Sequence, residues 1–480
     1  MAPALSRRRF LAAAGLTLGS AALGGLAGCT LPFTATAARP TRASFVSRPD
    51  LNPPLITTAV DGPLVPGLIF ITGDGPLITD NQGNPIWYQP VSSSVADFKM
   101  QVYQGQPVLT WWQGSVISPG FGQGVHIVTN ASYQQIRTIQ AANGYQADLH
   151  DLQLTPQGTA LLTAYTTVAA DLSKIGGSSS GTLLTCILQE IDLDSGQLLF
   201  EWRSVDHVDP SESYVSAPKN ATQAFDYFHI NSVAVGPDGN LLISARNTWT
   251  LYKLDRRSGA VIWRLGGKRS DFSLGERVQF AFQHDARWHG DTDITLFDDG
   301  AGPPNVQPQS RGLRLTVDET ARTARLRDQF LHVPGTLATS QGNVQRLENG
   351  NVFIGWGSQP YFTEHDVSGR QVFKAKMEAG QSYRAFRWPW IGKPTNPPTI
   401  VVRRSDSGAV TVYASWNGAT EVSSWQVLAG SNSAQMVPVV TAPRTGFETT
   451  IKVPGPVALA AARALDKRGQ VLATSAIAKT

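Results

Sequence analysis

Residues 227–246 read YFHINSVAVGPDGNLLISAR. Two runs with the apolar alternation of β-strands flank the turn GPDG at 236–239, a pattern that predicts a β-hairpin. Side chains two residues apart on a strand point to the same face, so His229 and Asn231 are predicted to lie side by side. The second strand ends at Arg246. The hairpin therefore predicts a histidine, a carboxamide and a guanidinium at one place, a set that can hold a tetrahedral oxyanion.

The parts of this hairpin recur along the chain. A turn glycine that leads into an apolar strand occurs at Gly105, Gly158, Gly239 and Gly350. A glycine followed four residues later by an aromatic ring occurs at Gly83, Gly196, Gly259 and Gly369. The first two turn glycines lie 53 residues apart and the last two lie 111 apart, which is two units of about 55. Short strands at this period predict an all-β fold with a six-bladed β-propeller over residues 61–392, seven blades being the alternative.

The composition agrees with an all-β protein. The 480 residues include 45 Gly and 30 Pro, and only 16% are charged. Such turn-rich, weakly charged sequences favour strands and tight turns over helices. The Pro-rich linker at 393–398 is followed by five alternating apolar segments with Trp416 and Trp425. Residues 399–480 are therefore predicted to form a small β-sandwich similar to fibronectin type III domains.

The N-terminus predicts export and lipid attachment. SRRRFL at 6–11 resembles the twin-arginine export motif, and LAGC at 26–29 resembles the lipoprotein cleavage box after a short apolar stretch. We expect residues 1–28 to be removed, Cys29 to carry lipid on the outer side of the cell membrane or envelope, and residues 29–60 to form a tether. An uncleaved anchor helix is the alternative.

Cysteine and charge counts narrow the class of protein. With Cys29 acylated, Cys186 is the remaining cysteine, so no intramolecular disulfide is expected. Its strand-like surroundings predict a buried core residue. Removing the three leader arginines lowers the formal net charge from +4 to about +1. A mature chain so close to neutral has no basic field for nucleic acid.

Histidines recur at one position of the repeat. His150 lies eight residues before a turn glycine, and Asn231 occupies the same position one unit later, with His229 just before it. His284 lies nine residues before the next predicted strand. First strands of propeller blades line the central channel, so these side chains are predicted to converge at one mouth. The remaining histidines lack this register and are predicted to be surface or turn residues: His126, His207, His289, His332 and His365.

Two chemistries suit a cluster of three histidines. A neutral imidazole can attack a sulfuryl or phosphoryl group, and neighbouring donors can hold the three equatorial oxygens. A metal centre is the alternative. No carboxylate in the same register completes a metal site, although Asp151 and Asp285 each follow a candidate histidine, and Arg246 would repel a cation. We therefore expect no metal and no cofactor.

Several stretches together resemble the arylsulfotransferase family. They are the hairpin above with its continuation YKLDRRSGAVIWRLGG, the run FAFQHDARW followed by ITLFDDG, and SYRAFR at 382–387. The resemblance covers roughly residues 65–392. It implies a six-bladed propeller that moves a sulfuryl group from a phenolic sulfate ester to a phenol through a sulfohistidine. The family does not use 3′-phosphoadenosine phosphosulfate, and the chain has no Walker-type phosphate loop.

The resemblance also implies roles for individual residues. His284 corresponds to the family's nucleophile, and His229 with Asn231 corresponds to its HxN pair. Arg246 and His150 match the arginine and the earlier histidine that hold the sulfuryl oxygens. The expected partners are small aromatic sulfate esters and phenols, and the oligomeric state is left open. The chain departs from the characterised bacterial members by having a C-terminal sandwich in place of an N-terminal one.

Two other functions fit parts of the pattern. A cell-surface binding propeller without catalysis would use the channel histidines for recognition. A quinoprotein-like dehydrogenase would share the repeated glycine and tryptophan. Trp249 and Trp356 are candidates for stacking on an aromatic ligand.

Overall fold

Strands account for almost all the regular structure in a computed structural model, which describes residues 40–302, 304–455 and 457–479. Four short 3-10 helices complete it within these residues, at Ser173–Ile175, Ser204–Asp206, Pro210–Glu212 and Ser433–Gln435. The strands are β1 Ile56–Val60, β2 Leu68–Thr72, β3 Pro76–Thr79, β4 Pro85–Tyr88, β5 Ser94–Tyr103, β6 Gln106–Ile117, β7 Phe121–Thr129, β8 Gln135–Ile139, β9 Ala147–Leu154, β10 Thr159–Ala170, β11 Gly181–Asp192, β12 Leu198–Arg203, β13 Ile230–Val235, β14 Leu241–Ala245, β15 Thr250–Leu254, β16 Val261–Gly266, β17 Ser273–Leu274, β18 His284–His289, β19 Asp293–Asp298, β20 Arg311–Asp318, β21 Thr323–Leu331, β22 Asn343–Arg346, β23 Val352–Gly355, β24 Tyr361–His365, β25 Gln371–Met377, β26 Phe386–Trp388, β27 Thr399–Arg404, β28 Val410–Ser415, β29 Ser424–Gly430, β30 Val437–Pro443, β31 Glu448–Val453, β32 Leu459–Leu465, β33 Val471–Thr474 and β34 Ala478–Lys479. The all-β prediction is confirmed.

Groups built on four antiparallel strands repeat through the first 26 strands, and two of them carry a fifth strand at the edge, β17 parallel to β21 and β1 antiparallel to β25. The sheet orders are β26-β2-β3-β4, β13-β14-β15-β16, β17-β21-β20-β19-β18 and β1-β25-β24-β23-β22. Between them, β5 to β8 and β9 to β12 form two such groups, joined into one eight-stranded sheet by a pairing of Gly124 with Ala147. Each group therefore corresponds to one unit of the sequence repeat.

The first strands of successive groups are neighbours in space. Contacts run in the order β2, β5, β9, β13, β18 and β22. The last strand of this region, β26, contacts β23 and pairs with β2, so chain segments from the two ends of the region share one sheet. Indole and aliphatic side chains fill the space between sheets. Trp263 is 1% exposed in one such core, and Cys186 is fully buried in another, as predicted.

The first strands carry irregularities where they begin. The pairing register shifts opposite the start of β5, β9, β13 and β18. Left-handed backbone occurs at Asp97, His229, Asp285 and Gln341, with φ between 54° and 73°. A bulge adds a residue to one strand and re-aims the side chains beside it, and non-glycine residues in this conformation cluster at functional sites. The same end of several first strands is therefore built irregularly.

Residues 40–60 are not a tether. Strand β1 forms the outer edge of a five-stranded sheet by pairing with β25, and Leu51 is buried in the adjacent core. The backbone N–H and hydroxyl of Ser47 both donate to Glu448 of the C-terminal region, and the Phe45 and Phe447 rings lie 4.3 Å apart. Composition misled here because the part of the segment before β1 packs through single apolar residues, and β1 itself has only 5 residues. Residues 1–28 and Cys29 lie outside the described residues.

The C-terminal region consists of two antiparallel sheets. Their orders are β27-β28-β31 and β30-β29-β32-β33, with β34 also on β32. Apolar side chains from both sheets, including Trp425, share one core. Backbone and side-chain hydrogen bonds attach this region to the first two groups of strands. The N–H of Gly418 donates to the carbonyl of Ile86 on β4, and the hydroxyl of Tyr133, between β7 and β8, donates to the carbonyl of Gly418. Within the described residues there is no helix with the length and apolar character to cross a membrane.

Candidate active site

Three histidines meet in one cavity. His150 lies on β9, His229 immediately precedes β13, and His284 begins β18. The His150 and His229 rings are 4.8 Å apart and nearly perpendicular. The cavity has a volume of about 280 Å³, and its lining residues are Thr72, Gly73, Val95, Ala96, Val116, Pro119, Gly120, Leu149, His150, His229, Arg246, His284, Ser340, Gln341, Gln381 and Tyr383. The structure thus brings together four of the five predicted catalytic residues.

Each of the three rings is held at Nδ1 by an aspartate. The distances from Nδ1 to the carboxylate are 2.6 Å for His150 and Asp148, 2.5 Å for His229 and Asp226, and 2.6 Å for His284 and Asp299. A carboxylate that binds one ring nitrogen fixes the ring's orientation and directs the other nitrogen elsewhere.

The first two aspartates are acceptors. Burial alone would raise the pKa of both carboxyls, but their histidine partners and further donors outweigh it and lower the pKa. For Asp148 these donors include the backbone N–H of Gly122 and the hydroxyl of Thr163. Ionised carboxylates place the proton of His150 and His229 on Nδ1. The Nε2 atom of His229, which has no hydrogen-bond partner among the described residues, then carries the lone pair of a neutral ring.

Two backbone groups fix the tautomer of His284. Its Nδ1 lies 2.9 Å from the carbonyl oxygen of Phe282, which can only accept, so Nδ1 carries the proton. Its Nε2 accepts a hydrogen bond of 3.2 Å from the backbone N–H of Gln341, which can only donate, so Nε2 carries the lone pair. Burial and the positive charge of Arg246 hold the pKa of His284 well below its usual value. His284 is therefore a neutral imidazole with its lone pair on Nε2.

The carboxyl group of Asp299 complements this neutral ring. Burial, together with repulsion from Asp298, raises its pKa well above the ordinary value. Because His284 is neutral, its contact with Asp299 is a hydrogen bond and not an ion pair. Such a bond strengthens when positive charge develops on the imidazole.

His229 is kept neutral as well. Burial and the charge of Arg246 lower its pKa to about 4, and Asp226 only partly opposes them. Arg246 donates to Asn247 at 3.0 Å, lies 3.7 Å from Asp226 and stands 5.1 Å from the Phe282 ring centroid. Its guanidinium therefore faces the cavity beside two neutral imidazoles, an arrangement that attracts an anion without protonating the rings.

The protonation state of His229 gives a test by NMR. We expect the His229 ring to titrate with a midpoint near pH 4 in the folded chain and to be neutral above that pH. In the unfolded chain its pKa is about 6.5. The unfolded chain binds this proton between these two pH values and the folded chain does not, so acidification in that window favours unfolding. In Arg246→Met the midpoint of His229 should rise, since a repelling charge is removed. The midpoint of His207 should not change. An unchanged His229 midpoint in the variant contradicts this electrostatic account.

Asn231, which was predicted to lie beside His229, is not among the residues that line the cavity. It is fully buried behind the cavity wall, where its amide donates to the carbonyl of Gln283 at 2.7 Å. The left-handed backbone of His229 and the register shift at the start of β13 break the two-residue alternation on which the prediction rested. The role of Asn231 is to tie β13 to the segment before His284.

The three aspartates were not among the predicted site residues. Asp148 stands two residues before His150 and Asp226 three before His229, so a search for close Asp–His pairs could have found them. Asp299 lies fifteen residues after its histidine, and only the hairpin brings it back. Trp356 is fully buried and donates to Thr363, so it cannot stack on a ligand.

The other histidines are placed as follows. His126, His332 and His365 are buried, so the prediction of surface or turn positions is wrong for them. His289 lies at the far end of β18 and hydrogen-bonds Thr295. Across the described parts of the chain, no three His, Cys, Asp or Glu side chains are arranged to hold a metal ion.

One wall of the cavity is apolar. It consists of side chains from β5, β6, β9 and the loop after β6: Val95, Ala96, Val116, Pro119 and Leu149. The imidazoles and Arg246 form the polar part of the lining. A small ligand with an aromatic body and an anionic tetrahedral group matches this division.

Comparison with known proteins gives one family. A family model described as Arylsulfotransferase (ASST) matches residues 99–378. A search of curated proteins finds no match.

Solved structures give only distant likenesses. A protein of unknown function from Bacteroides caccae is 11% identical, with 67% of this chain and 99% of that chain covered and a TM-score of 0.42. TolB from Acinetobacter baumannii is 12% identical, with 67% of each chain covered and a TM-score of 0.36. An auxiliary nutrient binding protein from Bacteroides ovatus is 10% identical, with 75% and 74% covered and a TM-score of 0.33. None is close enough to carry an argument about this chain.

Proposed function

The chain belongs to the arylsulfotransferase (ASST) family, and from that premise we propose that it moves a sulfuryl group from an aryl sulfate ester to a phenol through a covalent intermediate on His284. The observation that carries this proposal is the state of His284, a buried neutral imidazole whose lone pair is on Nε2. Sulfuryl transfer to nitrogen needs that lone pair, and a protonated ring would lack it.

The first half-reaction uses His284 as nucleophile. Nε2 leaves its hydrogen bond with Gln341 and attacks sulfur; the N–S bond forms, the S–O bond to the aryl group breaks, and the aryloxide leaves with the electron pair. Arg246 supplies fixed positive charge for the equatorial oxygens. Positive charge that develops on the ring is met at Nδ1 by Asp299 and the carbonyl of Phe282.

The second half-reaction returns the group to oxygen. A phenol enters, its hydroxyl oxygen attacks sulfur, and the N–S bond breaks with its electron pair returning to Nε2. The phenolic proton needs a base, and Nε2 of His229 or His150 is available because each ring already donates from Nδ1 to an aspartate. These two histidines would thus serve as proton acceptors as well as lining the oxyanion pocket.

Leu149 offers a test of the aromatic binding wall. We expect Leu149→Ala to raise KM for 4-nitrophenyl sulfate about tenfold and change kcat by less than about threefold, because a buried leucine contributes contact to the ring in ground and transition states alike. Leu152→Ala is the matched control: this leucine is buried on the same strand but packs in a core away from the cavity. Steady-state kinetics with equal KM effects in both variants would place the aryl group elsewhere.

We also propose how the groups of strands are arranged. The six four-stranded groups would be blades around one axis, with β26 closing the ring on β2, and the two C-terminal sheets would face each other as a β-sandwich. The order of contacts among the first strands and the shared core around Trp425 support this arrangement. The cavity then lies at one mouth of the axis, where the bulged strand ends meet.

Export and anchoring remain part of the proposal. The twin-arginine motif at 6–11 and the LAGC box at 26–29 support transport in the folded state, cleavage before Cys29 and attachment of lipid to that residue. The catalytic region would then work outside the cytoplasm, held at the cell surface.

The intermediate is tested by intact-protein mass spectrometry. Brief exposure of the purified protein to 4-nitrophenyl sulfate should add one SO3 group, about 80 Da, with a stoichiometric burst of nitrophenol, and added phenol should remove the adduct. A folded sample with no adduct and no nitrophenol release would favour a binding protein that uses the histidines for recognition. Quinone absorbance in the purified protein would instead favour a dehydrogenase.

A further inference from the structure

One buried arginine lies directly beneath the three histidines. Arg384 is 1% exposed and follows β25 in the segment before β26. Its Nη1 binds Asp97 at 2.8 Å and Asp151 at 3.2 Å. Its Nη2 binds the backbone carbonyl of Asn231 at 2.9 Å and lies 3.4 Å from Asp285. A single planar guanidinium therefore contacts groups on four first strands, from β5, β9, β13 and β18.

Three of the acceptors that Arg384 binds lie one or two residues after the histidines in the sequence. Asp151 comes directly after His150, and Asp285 comes directly after His284. The carbonyl that Arg384 binds belongs to Asn231, two residues after His229. Every strand that carries a site histidine is thus held by the same guanidinium within two residues of that histidine. Because a side chain moves with its own backbone, a change in these contacts is transmitted to all three rings.

The surrounding charges are balanced. Asp97, Asp151 and Asp285 face three buried or nearly buried cations, Arg384 itself, Lys99 and Arg287. A balanced cluster can persist out of water, whereas removal of one partner leaves an uncompensated buried charge. Arg384 is the member of this cluster that bridges the most strands, and it reaches them with a rigid fork that a lysine cannot reproduce.

We propose that Arg384 is a positioning residue that sets the mutual geometry of His150, His229 and His284 by binding the strand position beside each of them. This inference rests on the proposed function for its kinetic consequence but not for its structural one. Arg384 does not line the cavity, so its effect on transfer passes through the residues whose positions it sets.

The test compares two buried arginines three residues apart. Arg387 is also 1% exposed and ion-paired, but its partners are Glu364 at 2.9 Å and Asn81 at 2.7 Å, away from the histidine strands. We expect Arg384→Lys to displace the ring signals of His150, His229 and His284 in histidine-labelled NMR spectra of the full chain. The signals of His207 and His365 should stay in place. Arg387→Lys should leave the three site signals unchanged while lowering the unfolding temperature by a similar amount.

Kinetics supply the second readout. A misplacement of about 1 Å in a catalytic group lowers rate by roughly 100-fold, so kcat should fall by about that factor in Arg384→Lys with KM within about threefold. Arg387→Lys should retain kcat. If Arg384→Lys does not fold, the pair Arg384→Met with Asp97→Asn removes one cation and one anion and keeps the cluster balanced, with the same three signals expected to move.

The outcomes separate the two proposals. Unmoved signals of all three site histidines in a folded Arg384 variant would overturn the positioning role, whatever the activity. Moved signals in a protein whose wild type consumes no aryl sulfate would support the positioning role and reject the proposed function.

Discussion

Replacing His284 with alanine is expected to lower kcat for transfer from 4-nitrophenyl sulfate by at least about 10⁴-fold and to abolish the adduct of about 80 Da. The size of the effect follows from the chemistry: transfer needs a nucleophile at the position of His284, and the other two rings belong to different strands. Arg246 would still bind the sulfate ester, so KM should change far less than kcat. Nitrophenol release measured over a range of ester concentrations gives kcat and KM, and intact mass reports the adduct.

A buried histidine elsewhere provides the control for that variant. His365 is fully buried, with Nε2 bonded to the Thr363 hydroxyl and Nδ1 to the carbonyl of Gly369, and it is remote from the cavity. His365→Ala should destabilise the fold by a comparable amount and retain the adduct. If His284→Ala forms the adduct at the wild-type rate, the nucleophile is another residue, and His229 and His150 are the next to replace.

Replacing Arg246 with methionine is expected to lower kcat/KM by about 10³-fold, because fixed charge near a developing oxyanion typically contributes 10² to 10³ in rate. The loss of kcat/KM should be larger than the loss on replacing a typical surface arginine, since the Arg246 guanidinium faces the cavity beside neutral imidazoles. The pKa of His229 should rise in the same variant. The rate at mildly acidic pH is therefore expected to fall further than the rate at pH 8.

Arg264 is a matched control for this second variant. Its side chain is 21% exposed against 16% for Arg246, it contacts the carboxylate of Glu212, and it lies 5.6 Å from the Tyr252 ring centroid. Arg264→Met should keep kcat/KM within about threefold of wild type. Similar losses in both variants would show that the effect of Arg246 is one of stability, and parallel measurements of thermal unfolding would reveal it.

Much of the framework could be predicted from the sequence, for a physical reason. Turn glycines and alternating apolar residues act locally, so the hairpin at 227–246 and the strand-rich character of residues 399–480 could be predicted. The convergence of His150, His229 and His284 was predictable because a repeat places equivalent positions at equivalent ends of the sheets. Their grouping in one cavity is confirmed by the geometry, whereas their catalytic roles stay a prediction.

The misses arise where structure depends on long-range contacts. Asp299 meets His284 only after β18 and β19 pair, and Arg384 meets its acceptors only when four strands have assembled. Asn231 was misplaced because the left-handed backbone of a non-glycine residue leaves no signature in its own sequence. The packing of residues 40–60 was missed because single apolar side chains such as Leu51 do not form a periodic pattern.

The charge cluster around Arg384 also lies between two cavities. A second cavity of about 370 Å³ lies at the later ends of the same first strands, and Lys99, Asp285 and Arg287 form its inner wall. Asp97, Asp151 and Arg384, all nearly solvent-free, stand between the two spaces. This cluster therefore separates the histidine cavity from the second one. Under the proposed function, the phenol released from the donor and the phenol that arrives as acceptor occupy the same histidine cavity, so back-transfer competes with escape, and the net direction of transfer follows the ratio of the two phenols in solution.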